Sequence, residues 1–156
     1  MITAHLPSGY VLARTANWRG PGMIAAIIGA AWPDLDLFFF YLVDNRAFHH
    51  HRYWVHAPAF VLVVSLVLLA LSRWRWPAAC PLVVAFCCGW VLHILLDSIA
   101  GGIMWLWPVS TELYVLFTVP PTQSHWVLSF LLHWTFVAEL VIWAAALILL
   151  TRNRRA

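Results

Sequence analysis

Four histidines and an arginine crowd the decapeptide HHHRYWVHAP at residues 49–58. Two aspartates, Asp34 and Asp36, stand one residue apart in WPDLD, and His93 and Asp97 stand four apart in HILLD. Neutral imidazole is the commonest metal ligand and carboxylate its usual anionic companion, so these residues carry the chemistry of a divalent-cation site. Mixed nitrogen and oxygen donors suit zinc first, with manganese or iron admissible. Arg52 adds a planar guanidinium fork that suits phosphate or carboxylate.

Each part also has a plainer reading. Pro33 favours the first turn of a helix, so Asp34 and Asp36 also fit as caps of a restarted helix. His93 and Asp97 share a helical face and also fit as a helix-end pair. His49 and His50 also fit a solvated loop, and Arg52 a lipid headgroup. Cys80, Cys87 and Cys88 read as small apolar fillers. Adjacent helical positions point about 100° apart, so Cys87 and Cys88 cannot form one paired ligand set.

Membrane helices are the elements expected to position these groups. The chain has 156 residues, 63% of them hydrophobic and only 10% charged, against about 25% charged in ordinary soluble domains. So little polar surface cannot cover a soluble domain, and bilayer is the expected solvent. Four runs are long enough to cross about 30 Å of hydrocarbon, and they lie near 22–43, 56–72, 78–97 and 126–150. The first is interrupted at Pro33. The expected fold is all-α: one membrane-embedded domain over 1–156, a transmembrane bundle of about four spans. No removable leader is expected, because the first apolar run is too long for a signal sequence and lacks a small-residue cleavage site. The +3 net charge comes from nine arginines against six acids, with no lysine. No basic stripe suggests a nucleic-acid face, so no direct nucleic-acid partner is expected.

The arginines orient the spans. Arg14 and Arg19, Arg73 and Arg75, and Arg152, Arg154 and Arg155 share one face of a four-span bundle, which makes both termini cytoplasmic. Only Arg46 and Arg52 remain on the other face. His49, His50, His51, His56, His93, Asp97 and His125 then gather toward that other face, with Asp34 and Asp36 displaced toward it. On the fourth span His125, Ser129, His133 and Glu139 fall within about 120° of helical arc. Glu139 lies deep, where a structural hydrogen bond, a proton relay and metal binding compete.

The ordered pieces TAHLPSGY at 3–10, PDLD at 33–36, HRYWVHA at 51–57, HILLD at 93–97 and GGIMWLWPVS at 101–110 resemble the YdjM-type inner-membrane proteins. That family is described as membrane-bound metal-dependent hydrolases and also labelled LexA-binding. Its third piece usually reads His-Arg-Gly-x-Thr-His-Ser, whereas Tyr53, Val55 and Ala57 stand here for the glycine, threonine and serine. The resemblance implies a bacterial inner-membrane protein with a metal site built from His5, Asp34, Asp36, His51, His56, His93 and Asp97. The His-x-x-x-Asp of His93 and Asp97 is more faintly similar to zinc-dependent phospholipase C, which implies phosphoester hydrolysis. His5 leaves two topologies open. Four spans put it opposite the other ligands, whereas a first segment that enters at Gly22 and turns back at PDLD puts it among them. The arginine count favours four spans.

The leading functional expectation is a hydrolase of a lipid or lipid-linked phosphoester, with one or two divalent ions activating water, Asp34 or Asp36 as base and Arg52 steadying substrate charge. Membrane lipids are the expected partners, and an oligomer is compatible with this reading. The alternatives are proton- or ion-coupled transport, for which Glu139 and His133 would speak, and a non-catalytic bundle with a structural metal.

Overall fold

The computed structural model describes residue 1 and residues 3–153. Arg154 and Arg155, counted above toward the orientation, lie outside the described residues. The α-helices are α1 (His5–Thr15), α2 (Pro21–Ala31), α3 (Asp36–Leu42), α4 (Pro58–Arg75), α5 (Cys80–Ala100), α6 (Trp126–Leu131) and α7 (Phe136–Asn153). Among the described residues the only extended pairing is an isolated antiparallel bridge, Ile103 to Tyr114. Proline opens α2 and α4, where its missing N–H costs nothing and its fixed φ suits the first turn.

Pro33 has the effect its position suggests. The helical path tightens into a 3-10 turn over Trp32–Leu35 and then resumes as α3. The segment Pro21–Leu42 therefore runs on as one apolar rod. Pro21–Leu42, Pro58–Arg75 and Pro77–Ala100 are, among the described residues, the helices long and apolar enough to span a bilayer. Their outward faces carry Phe38, Phe39, Leu62, Val63 and Leu66, all exposed, as lipid-facing side chains should be.

Small residues set the spacing of the inner layer. A Cβ on Gly29 would stand 2.0 Å from the Phe86 carbonyl oxygen, and one on Gly89 2.2 Å from the Ala26 oxygen. Only hydrogen fits there, so α2 and α5 run side by side with their backbones nearly touching. Gly9 admits α1 onto α2 in the same way, with a Cβ position 2.8 Å from the Ile27 Cα. A second cluster of Val55, Val61, Trp90, Ile94 and Ile103 ties α4 and the histidine loop to α5.

Two expectations change. The run 126–150 is not one helix, because α6 ends at Leu131 and α7 begins at Phe136. His133 causes the break: its Nδ1 lies 2.8 Å from the Thr135 hydroxyl and accepts the Thr135 amide at 3.4 Å. A side chain that captures nearby backbone in this way competes with the helical ladder. The second change concerns the N-terminus. α1 folds back along α2 as an antiparallel hairpin, turning through Asn17 and Gly20, both at positive φ. Its first residue, His5, is thereby returned to the level of Asp34. Neither sequence-based topology had this arrangement, and the placement of the N-terminus opposite the ligands is corrected.

Candidate metal centre

Asp97 is the hub. It lies on α5, one helical turn past His93 and about 25 Å along the axis from Cys80, and its side chain is buried. Four imidazoles aim their Nε2 atoms at its carboxylate. His93 approaches Oδ2 at 2.9 Å, His51 approaches Oδ2 at 3.3 Å, His5 approaches Oδ1 at 3.1 Å and His56 approaches Oδ2 at 3.9 Å. Asp34 closes the ring from the first span, 3.8 Å from His93 Nε2 and 3.9 Å from His5 Nε2. The His5 and His93 rings stack at 3.8 Å.

Backbone carbonyls fix which nitrogen of each ring carries the proton. His93 Nδ1 lies 2.7 Å from the Ala30 oxygen, and His51 Nδ1 lies 3.0 and 2.9 Å from the Gly101 and Gly102 oxygens. A carbonyl only accepts, so Nδ1 must donate in both rings. In neutral imidazoles this leaves the Nε2 lone pairs facing the Asp97 carboxylate. Acceptor then faces acceptor inside a buried cluster, an arrangement that needs a cation between them. The same carbonyl-held imidazole is the usual outer support of a metal-binding histidine.

Spacing agrees with that need. Donors bound at about 2.1 Å to a tetrahedral ion stand about 3.4 Å apart, and the contacts above run from 2.9 to 3.9 Å. Three buried groups, His5, His93 and Asp97, hold their donor atoms within 4.8 Å of one another, as do Asp34, His56 and His93 and also His51, His56 and Asp97. Both His5 nitrogens and Asp97 Oδ2 are buried without a hydrogen-bond partner among the described residues. The donor set therefore fits a divalent ion of the zinc class.

Asp36 lies one ring further out. Its Oδ2 is 3.0 Å from His56 Nδ1 and its Oδ1 is 3.4 Å from His50 Nδ1. His51 and His56 reach inward because each sits in its own short 3-10 turn, His50–Arg52 and Trp54–His56. Tyr53, Val55 and Ala57 do not leave this loop unsupported. The Tyr53 hydroxyl donates to Asp44, the Val55 carbonyl accepts from Trp90 Nε1 at 2.9 Å, and Ala57 is fully buried. Burial pulls the His51 pKa well below the ordinary imidazole value against the attraction of Asp97. Burial also lowers His56 against its Asp36 contact, and it lowers His49 with help from His50. Rings so disposed are neutral at neutral pH and ready to bind a cation.

Arg52 stands apart. It is exposed and donates to the Thr111 carbonyl at 3.2 Å. A cavity of about 250 Å³ opens beside the centre, lined by Met1, His49, His50, His51, Gly101 and Phe130 among others. Of the fourth-run residues, Glu139 accepts from the Thr3 amide at 2.9 Å and the Thr3 hydroxyl at 2.6 Å, and Ser129 accepts from the Gln123 amide at 3.0 Å. The His125 side chain accepts from the Val127 amide as the cap of α6.

Sequence reasoning missed three features of the centre. His50, for which a solvated loop was one of the open readings, faces Asp36. The Ala30, Gly101 and Gly102 carbonyls carry no side-chain signal. The Met1 amine donates to Asp97. The glycine pair after α5 was the available hint, since a Cβ on Gly101 would stand 2.4 Å from His51 Cε1.

Residues 1–155 match the YdjM inner membrane protein family, and the chain belongs to it. No curated protein and no solved structure matches the chain.

Proposed function

We propose that this member of the YdjM inner membrane protein family is a membrane-embedded metal-dependent hydrolase acting on a lipid or lipid-linked phosphoester. The observation that carries the reading is the convergence of four imidazole Nε2 atoms on Asp97, with the Asp34 carboxylate beside two of them and two tautomers set by backbone carbonyls. His5, His93 and Asp97 would hold the ion, with His51, His56 and Asp34 around it. A zinc-class ion there supplies a lowered pKa for water and polarisation of a phosphoryl oxygen.

The chain's own groups do the rest. The Asp34 side chain is 28% exposed whereas Asp97 is 1% exposed, so Asp34 is the carboxylate that meets incoming water and takes its proton. The Ala30, Gly101 and Gly102 carbonyls keep His93 and His51 from turning away. Arg52, on the surface above, meets anionic headgroups approaching the loop. A lipid substrate is favoured by a second cleft of about 520 Å³ between α4 and α5, lined by Val61, Leu62, Leu66, Val91, Leu95 and Trp105 among others. With the arginine-bearing ends of α1, α4 and α7 in the cytoplasm, the centre faces the non-cytoplasmic leaflet.

Full-length protein purified in detergent without a polyhistidine tag tests this. Stoichiometric metal is expected in the wild type and absent from the Asp34→Ala/His93→Ala double variant. Asp34→Asn should keep the metal and lose about 10²–10⁴-fold in hydrolysis of a phospholipid or model phosphodiester. Wild type without stoichiometric metal would end the reading, and metal without turnover of any such ester would leave only a structural ion.

A further inference from the structure

The His56 ring is buried between two sets of acceptors. On its Nε2 side stand His93 Nε2 at 3.2 Å and Asp97, and on its Nδ1 side stands Asp36 Oδ2 at 3.0 Å. A neutral imidazole has one proton, so either tautomer leaves one nitrogen facing another acceptor. The Nδ1 contact also lies off the ring's N–H direction: His56 Nδ1 and both Asp36 oxygens are without a hydrogen-bond partner among the described residues. Asp36 is 7% exposed. A buried carboxylate with neither oxygen hydrogen-bonded is costly unless a cation meets it.

His50 completes the arrangement. Its Nδ1, also without a hydrogen-bond partner, stands 3.4 Å from Asp36 Oδ1, and the donors of Asp36, His50 and His56 lie within 4.8 Å of one another. The His50 side chain is 22% exposed and lines the cavity of about 250 Å³. Three protein ligands with one side left open is the pattern of a catalytic rather than a closed structural ion.

We propose that Asp36, His50 and His56 Nδ1 form a second divalent-cation site, separate from the one around Asp97 and joined to it through the His56 ring. The second site rests on the metal-centre reading above and adds to it. Filling both sites converts His56 to an imidazolate, and its ring proton passes to solvent. A ring bridge holds the ions farther apart than the about 3.5–4 Å of ions that share an oxygen. The outer ion, beside the cavity, would take an anionic oxygen of the incoming substrate.

Zinc titration of metal-free, full-length protein in detergent, followed by elemental analysis after dialysis, tests the second site. Wild type should bind two equivalents in two steps, and His50→Ala should keep one of the two. A single equivalent in wild type, or two in His50→Ala, would overturn the second site and leave the first intact. No zinc in wild type would remove both. Should His50→Ala fail to fold, the number of steps in the wild-type isotherm decides alone.

Discussion

Asp97 and Glu139 are both acids buried deep in an apolar bundle, yet their surroundings differ in kind. Glu139 faces donors: the Thr3 amide and hydroxyl both point hydrogens at Oε2, and Trp143 Nε1 supports the Thr3 hydroxyl at 3.1 Å. Asp97 accepts from the Met1 amine on Oδ1, whereas its Oδ2 faces imidazole nitrogens, two of which have their protons committed to carbonyls elsewhere. Burial alone therefore does not mark a functional acid. A carboxylate oxygen met by donors is satisfied, and one met by lone pairs awaits a cation.

The sharpest way to break that contrast is to delete each acid in turn. Asp97→Ala should lower zinc affinity by more than about 100-fold, beyond the about 10–100-fold typical of supporting residues. Glu139→Gln should leave zinc affinity unchanged, and a competition assay with a chromogenic chelator reads both. Equal losses in the two variants would erase the distinction.

A subtler probe leaves every ligand in place. Gly101→Ala puts a methyl 2.4 Å from His51 Cε1, so the imidazole must shift. About 10–100-fold weaker zinc binding is expected, with the helical circular dichroism retained. Glu139→Gln, neutral for metal, should instead cost about 1–3 kcal/mol of stability through its weakened bonds to Thr3, seen as a lower Tm in detergent.

The mildest perturbation is pH. His51 and His56 have pKa values lowered by burial, so they stay neutral down through the ordinary imidazole range. Affinity for the inner ion should be nearly flat from pH 8 to about 6.5 and fall only below it, as protons begin to compete. The contribution of His51 and His56 to the stability of the metal-free protein follows the same sign. It is full above the unfolded imidazole pKa of about 6.5 and is lost as pH falls from there toward the lowered folded values. A steep loss of the inner ion between pH 8 and 7 would contradict neutral, buried rings.

The apolar runs, the interruption at Pro33 and the gathering of His51, His56, His93, Asp34 and Asp36 at one end were legible in the sequence. Hydrophobic length and the spacing of rare polar residues are local properties, and a bilayer leaves such residues few places to go. The break at His133 was not legible, because a long apolar run reads as helix and the competing bond of His133 with Thr135 spans only two residues. The hairpin that returns His5 depends on α1 packing against α2 through Gly9, a contact between segments about twenty residues apart. His50 also fits a solvated loop until Asp36, from another element, is placed opposite its Nδ1.

The sequence by itself determined the solvent, the helical class and the inventory of donor atoms, since these follow from composition and periodicity. Tertiary structure alone decided which donors face one another and which lone pairs lack a proton. Those properties come from backbone carbonyls and close glycine contacts between distant segments, neither of which has a side chain to announce it.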